Sequence, residues 1–182
     1  MNRNQYELYH HGVKGMKWGV RKKREKSSYT PSARVTLQGK TKRGEPIVAR
    51  QDKQPKMATF LARHNLKMRK QVENTKNMSL YDGSGNRIGD LTLFHESPTS
   101  VNVTWLGVDE QYRGKGYAQS AMKMAEDYAR NSGAKQMTLE VPGKSPDARH
   151  IYERQGFKEV GVLSTPDDDF VWGGLTAMVK KF

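Results

Sequence analysis

Residues 106–116 read LGVDEQYRGKG and open directly into residues 117–133, YAQSAMKMAEDYARNSG. The run SVNVTWLGV (100–108) is β-branched and apolar, which predicts a strand. It feeds a loop holding two glycines two residues apart and two cations, Arg113 and Lys115. The stretch beyond aligns Ala118, Ala121, Met122, Ala125, Tyr128 and Ala129 on one face, which predicts an amphipathic helix. Asn131-Ser132-Gly133 supplies its stop. A strand, a glycine turn and a helix N-terminus in that order bring backbone N–H groups and positive side chains to one point. Such a point suits a pyrophosphate.

The elements on either side fit the same arrangement. MSLYD and RIGDLTLFHE flank GSGN, the signature of a β-hairpin. After the helix, KQMTLEV reads as a strand, SPDARHIYERQG as a helix ending at Gly156, and FKEVGVL as a strand. The loop STPDDD then leads to a last strand within FVWGGLTAMVKK. From residue 77 the order is β-β-β-α-β-α-β-β, an α/β arrangement with a mixed sheet. Upstream, RVTLQ (34–38) and EPIVAR (45–50) form a short hairpin or two loose extended segments, and residues 57–73 form one helix with a basic opposite face.

Charge divides the chain in two. Residues 1–76 hold 20 Lys/Arg and 5 Asp/Glu, and residues 77–182 hold 12 and 14, so the net +13 lies wholly in the N-terminal part. This predicts a basic tail over 1–32, a basic extension over 33–76, and a compact domain over 77–182 whose start extends to residue 34 if the early strands join it. The absence of cysteine excludes a disulfide framework, a thiolate nucleophile and a Cys-ligated metal. His10-His11 lack partners at ligand spacing, so no metal site is expected. No apolar run approaches the roughly 20 residues that span a bilayer, and the charged N-terminus is not a secretory signal. A cytoplasmic setting is the expectation.

The glycine loop is neither a Walker A loop, which needs GxxxxGK[ST], nor a dinucleotide fingerprint, since GxGxxG fails at Gln119. The segment VDEQYRGKGYAQSAMKMAEDYA instead resembles the acetyl-CoA signature of the GCN5-related N-acetyltransferase (GNAT) family, R/Q-x-x-G-x-G/A. Arg113-x-x-Gly116-x-Ala118 fits it, and Gln111-x-x-Gly114-x-Gly116 fits the adjacent register. LEVPGKSPDARHIYERQGF resembles the second cofactor-side block, with Tyr152-Glu153-Arg154-Gln155-Gly156-Phe157 as its Tyr-x-x-x-Gly-Phe pattern. The resemblance covers residues 77–182. It implies a mixed, mostly antiparallel twisted sheet flanked by helices, and acetyl-CoA as co-substrate.

The resemblance further implies a set of site residues. The diphosphate of acetyl-CoA would sit on the amides of Arg113, Gly114, Lys115, Gly116, Tyr117 and Ala118. The pantetheine arm would follow the strand near Leu106 and Val108. Ser145 stands where many members have a cofactor-contacting asparagine, and it also reads as a helix cap. Tyr152 occupies the position of the family's acid, with a core tyrosine as the alternative. Many members carry a glutamate where this chain has Thr104. Glu140, in Leu139-Glu140-Val141, resembles the glutamate proposed as base in ribosomal-protein acetyltransferases, and equally reads as a solvent-facing strand residue. His150 is a second candidate base. Asp167-Asp168-Asp169 would border the acceptor pocket and suit a cationic amine, or form a solvated turn.

The tail segment YHHGVKGMKWGVRK resembles a short N-terminal motif of tailed-bacteriophage proteins. It implies a phage origin and a docking role for residues 1–32, with a virion protein or nucleic acid as partner. Two readings follow. One is an N-acetyltransferase moving an acetyl group to a primary amine by direct attack. The other is a weakly active or inactive module of the same fold, acting as a virion-associated or nucleic-acid-binding adaptor.

Overall fold

The computed structural model describes residues 32–143, 145–163 and 173–182. Eight strands form one sheet in the order β1-β2-β3-β4-β5-β6-β8-β7. They are β1 (Thr36–Lys40), β2 (Pro46–Gln51), β3 (Thr75–Asp82), β4 (Arg87–Ser97), β5 (Ser100–Val108), β6 (Gln136–Pro142), β7 (Lys158–Leu163) and β8 (Leu175–Lys181). Every pairing is antiparallel except β5 with β6. The four helices are α1 (Lys56–His64), α2 (Leu66–Asn74), α3 (Tyr117–Asn131) and α4 (Pro146–Arg154). From residue 75 the order matches the sequence-derived one, and the sheet is mixed and mostly antiparallel as expected.

Of the two upstream elements, one takes the first of its two expected forms and one differs. The strands β1 and β2 are a regular hairpin, and β2 pairs with β3 from Ile47↔Asp82 to Gln51↔Met78. Residues 36–51 thus belong to the sheet. The single helix expected over 57–73 is two, because Asn65 takes an extended conformation (φ −138°, ψ 115°) that stops α1. Its side-chain oxygen accepts from the backbone N–H groups of Lys67 (2.9 Å) and Met68 (3.2 Å), capping α2. Apolar spacing continues across the break, so periodicity alone reads straight through it.

The core lies where α3 crosses the sheet. Ala121, Met122, Met124, Ala125 and Ala129 of α3 are buried against Ile47, Leu80, Leu91, Val101 and Met137. Small alanines let the helix lie close to the strands, and the sulfur side chains fill the gaps. Ala118 differs from its expected place: it is exposed at the first turn of α3. Ala148 and Tyr152 of α4 pack on the same core. The turn between β3 and β4 is tied by Asp82, whose carboxylate accepts from the N–H groups of Ser84 and Asn86. The Asn86 side chain (3.0 Å) and these amides hold that carboxyl below the usual carboxylate range.

At the start of β4 a close approach fixes the glycine loop. Gly89 faces Val108 and has φ 155°, and a Cβ there would overlap the carbonyl oxygen of Gly107. The next residue pair is locked by Asp109 N–H donating to the Ile88 carbonyl at 2.9 Å. Gly89→Ala is therefore expected to destabilise the fold by about 2–3 kcal/mol through strand displacement. Chemical denaturation checks this, and an unchanged midpoint would show that β4 and β5 separate freely there.

Candidate active site

The sheet opens where its one parallel pair ends. β5 and β6 are in register from Ser100↔Gln136 to Val103↔Leu139 and no further. Beyond Val103, the β6-side edge of β5 has no strand partner among the described residues. The pairing of β4 with β5 shifts at the same level: Leu93 faces Val103 and Thr92 faces Trp105, leaving Thr104 as a bulge. A bulge reverses the alternation of side chains. Val101 and Val103 enter the core before it, and Leu106 and Val108 pack on the core after it. Thr104 and Trp105 are consequently both exposed, Trp105 at 56%. The divergence leaves a cleft of about 430 Å³, lined by Thr104, Leu106, Glu140, Ser145 and Tyr152 among others.

The loop after β5 is a single 3-10 turn (Glu110–Tyr112) followed by Arg113-Gly114-Lys115-Gly116. Gly114 (φ 74°) and Gly116 (φ 84°) both adopt the left-handed backbone region. A Cβ on Gly114 would meet nothing within 4 Å, and one on Gly116 only Thr41 at 3.9 Å. Glycine at these positions therefore serves conformation, and the space above it is open. Gly116 caps α3 without a side chain, and the first return bond runs from Ser120 N–H to its carbonyl (3.1 Å). The N–H groups of Tyr117, Ala118 and Gln119 are left facing outward.

The loop's side chains have distinct places. Arg113 is exposed, and its Nε donates to the Val108 carbonyl at 3.1 Å, bracing the loop on the end of β5. Lys115 is exposed and stands 5.4 Å from the Tyr112 ring centroid. The Tyr117 ring is buried, edge-on to Tyr112 at 6.5 Å. Burial, then the neighbouring Glu45, pushes its phenol up. Only the backbone of Tyr117 is left for a ligand.

On the far wall, Tyr152 of α4 is half-buried, with its ring edge-on to Phe157 at 6.0 Å. Burial pushes its phenol above the ordinary tyrosine value. Glu140 is exposed on β6 opposite Ala177 of β8. Ser145 precedes α4, but its side chain makes no capping hydrogen bond, contrary to the cap reading. His150 pairs with Glu153 at 3.1 Å on an exposed stretch of α4, away from the cleft lining. Asp167-Asp168-Asp169 lie outside the described residues, as does the tail over 1–31.

Two groups were not singled out from the sequence. The first is a cleft of about 570 Å³ between α3 and α4, bordered by Lys42, Lys123, Arg154 and Lys180. Burial raises the Glu126 carboxyl there, but Lys180 (2.6 Å) and Arg130 (2.8 Å) outweigh it and hold it below the usual range. Lys42, Lys123 and Arg154 make no ion pair among the described residues. They come from three distant segments, so no local motif could reveal them. The second is a polar row on the outward face of β5 and β6, visible in sequence only as the alternation Ser100, Asn102, Thr104.

A sheet split between parallel strands, with a glycine loop and an uncapped helix N-terminus beside the split, is the architecture of an acyl-CoA-binding fold. The chain belongs to the acetyltransferase (GNAT) family, whose model matches residues 57–157. A family of unknown function, DUF7211, matches residues 3–25. The uncharacterised N-acetyltransferase YycN of Bacillus subtilis is 40% identical over 57 residues, 31% of this chain and 36% of that protein. Streptothricin acetyltransferase of Streptomyces lavendulae is 42% identical over 53 residues, 29% of this chain and 28% of that protein. The chain thus spans about a third of the length of these curated relatives. A GNAT family acetyltransferase from Elizabethkingia anophelis, solved with acetyl-CoA bound, aligns at TM-score 0.60 and 12% identity, over 75% of this chain and 98% of that one. Acetyl-CoA is the family's co-substrate. Among the described residues, no helix is long and apolar enough to cross a membrane.

Proposed function

We propose that the chain is an acetyl-CoA-dependent N-acetyltransferase acting on a primary amine by direct attack. The observation that carries this reading is the alignment of three open features along one path. These are the uncapped amides of α3 behind Gly114 and Gly116, the partnerless edge of β5 beyond Val103, and the cleft holding Glu140 and Tyr152. The space above the glycines and the outward N–H groups fit a diphosphate. The edge groups near Leu106 and Val108 suit an amide-bearing arm, and Ser145 borders its path. The cationic cleft at Lys42, Lys123 and Arg154 continues past the loop and suits a phosphorylated nucleotide end.

Bound there, acetyl-CoA supplies a thioester carbonyl as electrophile and a thiol as leaving group. Glu140 is assigned as the base, taking through water the proton that the acceptor ammonium must lose before its lone pair attacks. Tyr152 keeps its proton at neutral pH and is assigned as the donor to the departing sulfur. The second proton, shed by the nitrogen as the amide forms, restores the phenol, and the first passes from Glu140 to solvent. Residues 1–32 are read as a docking segment for a virion component or nucleic acid, and the chain as phage-encoded and cytoplasmic. The motif YHHGVKGMKWGVRK supports that part.

A panel of primary amines, including polyamines, aminoglycosides, lysine and peptide N-termini, tests the main reading with free CoA as the readout. At least one amine is expected to raise CoA release well above the rate without acceptor. Tight acetyl-CoA binding with no stimulated release by any amine would remove the transferase assignment.

A further inference from the structure

We infer that Thr104 is the acceptor-orienting residue of this site, its hydroxyl fixed as a hydrogen-bond acceptor for the incoming amine. This rests on the transferase reading of the cleft above. A chain of hydrogen bonds runs from Glu96 to the cleft. The carboxylate of Glu96 only accepts, and it receives the hydroxyl protons of Ser100 (2.8 Å) and Thr138 (3.1 Å). Thr138 has then spent its one proton, so its oxygen accepts from the Asn102 side-chain amide at 3.0 Å. That contact sets which way the Asn102 amide faces. Its carbonyl oxygen points along β5 to Thr104, and the Thr104 hydroxyl donates to it at 3.0 Å.

Every proton in the chain points away from the cleft. Thr104 Oγ1 is left with lone pairs and no proton to offer, at the bulge where the sheet opens. An amine or ammonium N–H meets an acceptor there, while a carbonyl or carboxylate meets none. Asn102 and Thr138 stand opposite each other in register, so the next residues on the same outward face are Thr104 and Glu140. The acceptor nitrogen is therefore bracketed by a fixed hydroxyl oxygen and a carboxylate. The Asn102 amide does not conduct a proton onward, so the chain orients the amine and the proton leaves toward Glu140. Asn102 is buried and Thr104 exposed. The orientation is thus set inside the sheet and used at its surface.

The test is calorimetric titration of spermidine into the full chain loaded with CoA, alongside acetylation of spermidine from acetyl-CoA. Thr104→Val is expected to weaken spermidine binding about tenfold, the loss of one hydrogen bond to a charged donor. Thr104→Ser restores it to within about twofold, and CoA affinity is the same in both. Asn102→Ala, which frees the Thr104 proton, weakens spermidine about threefold with the Thr104 side chain intact. In turnover, Thr104→Val raises KM for spermidine and leaves the pH midpoint of kcat in place. Wild-type affinity in Thr104→Val, a Thr104→Ser variant as weak as the valine, or no spermidine binding to the wild-type chain overturns the assignment. Thr104-dependent binding without acetylspermidine formation supports it and removes the transferase reading. Acetylation indifferent to Thr104 does the reverse.

Discussion

Gly116→Asp is expected to weaken acetyl-CoA binding about a hundredfold and to cost the fold about 1–2 kcal/mol. Two effects act together. The native φ of 84° lies where a side-chain-bearing residue is strained by roughly 1–2 kcal/mol. The new carboxylate also stands at the N-terminus of α3, where its charge repels a diphosphate. The strain lowers the stability of the free protein, and the charge acts on the ligand, so affinity falls further than strain alone would take it. Gly116→Ala separates the two effects, because it adds strain without charge, and a loss of about tenfold is expected there. Calorimetry with acetyl-CoA on both variants is the measurement. Undiminished affinity in the aspartate variant would take the diphosphate off this loop.

The reason that loop could be read from sequence is that its chemistry is local. Glycines at 114 and 116, the strand before them and the helix after them lie within one short stretch, and the backbone supplies the functional groups. The succession of strands and helices from residue 75 was legible for a similar reason, since each element carries its own periodicity and turn residues. What lay beyond reach depends on pairing. The bulge at Thr104 is a property of β4 against β5, and SVNVTWLGV shows the same alternation with or without it. Only the bulge puts Thr104 and Trp105 on one face, and only the parallel register with β6 puts Thr138 beside Asn102. The departure from glutamate at Thr104 was visible, but the chain that fixes its hydroxyl was not. Likewise Lys42 reaches the α3–α4 cleft only because β1 and β2 join the sheet, which the basic composition of residues 33–76 disguised.

Tyr152→Phe is expected to lower kcat by about a hundredfold with acetyl-CoA affinity nearly unchanged, the range for removing a positioned acid. The ring can be kept because its work in the core is independent of the hydroxyl: it packs edge-on to Phe157, and its backbone carbonyl accepts from the Phe157 N–H at 3.1 Å. No side-chain hydrogen bond of the Tyr152 hydroxyl is present among the described residues, so its removal leaves no buried partner stranded. The pH dependence gives a second reading of the same group. Burial raises the phenol, so the protonated acid persists above the ordinary tyrosine range, and the alkaline fall in kcat belongs above about pH 10. The sign for stability runs the same way. A proton held more tightly in the folded chain than in the unfolded one stabilises the fold fully below the unfolded value, and this contribution is lost as pH rises through the folded one. In Tyr152→Phe the alkaline limb of kcat should disappear. A full-rate phenylalanine variant with the wild-type limb intact would return Tyr152 to the core and leave the departing thiolate to be protonated by water.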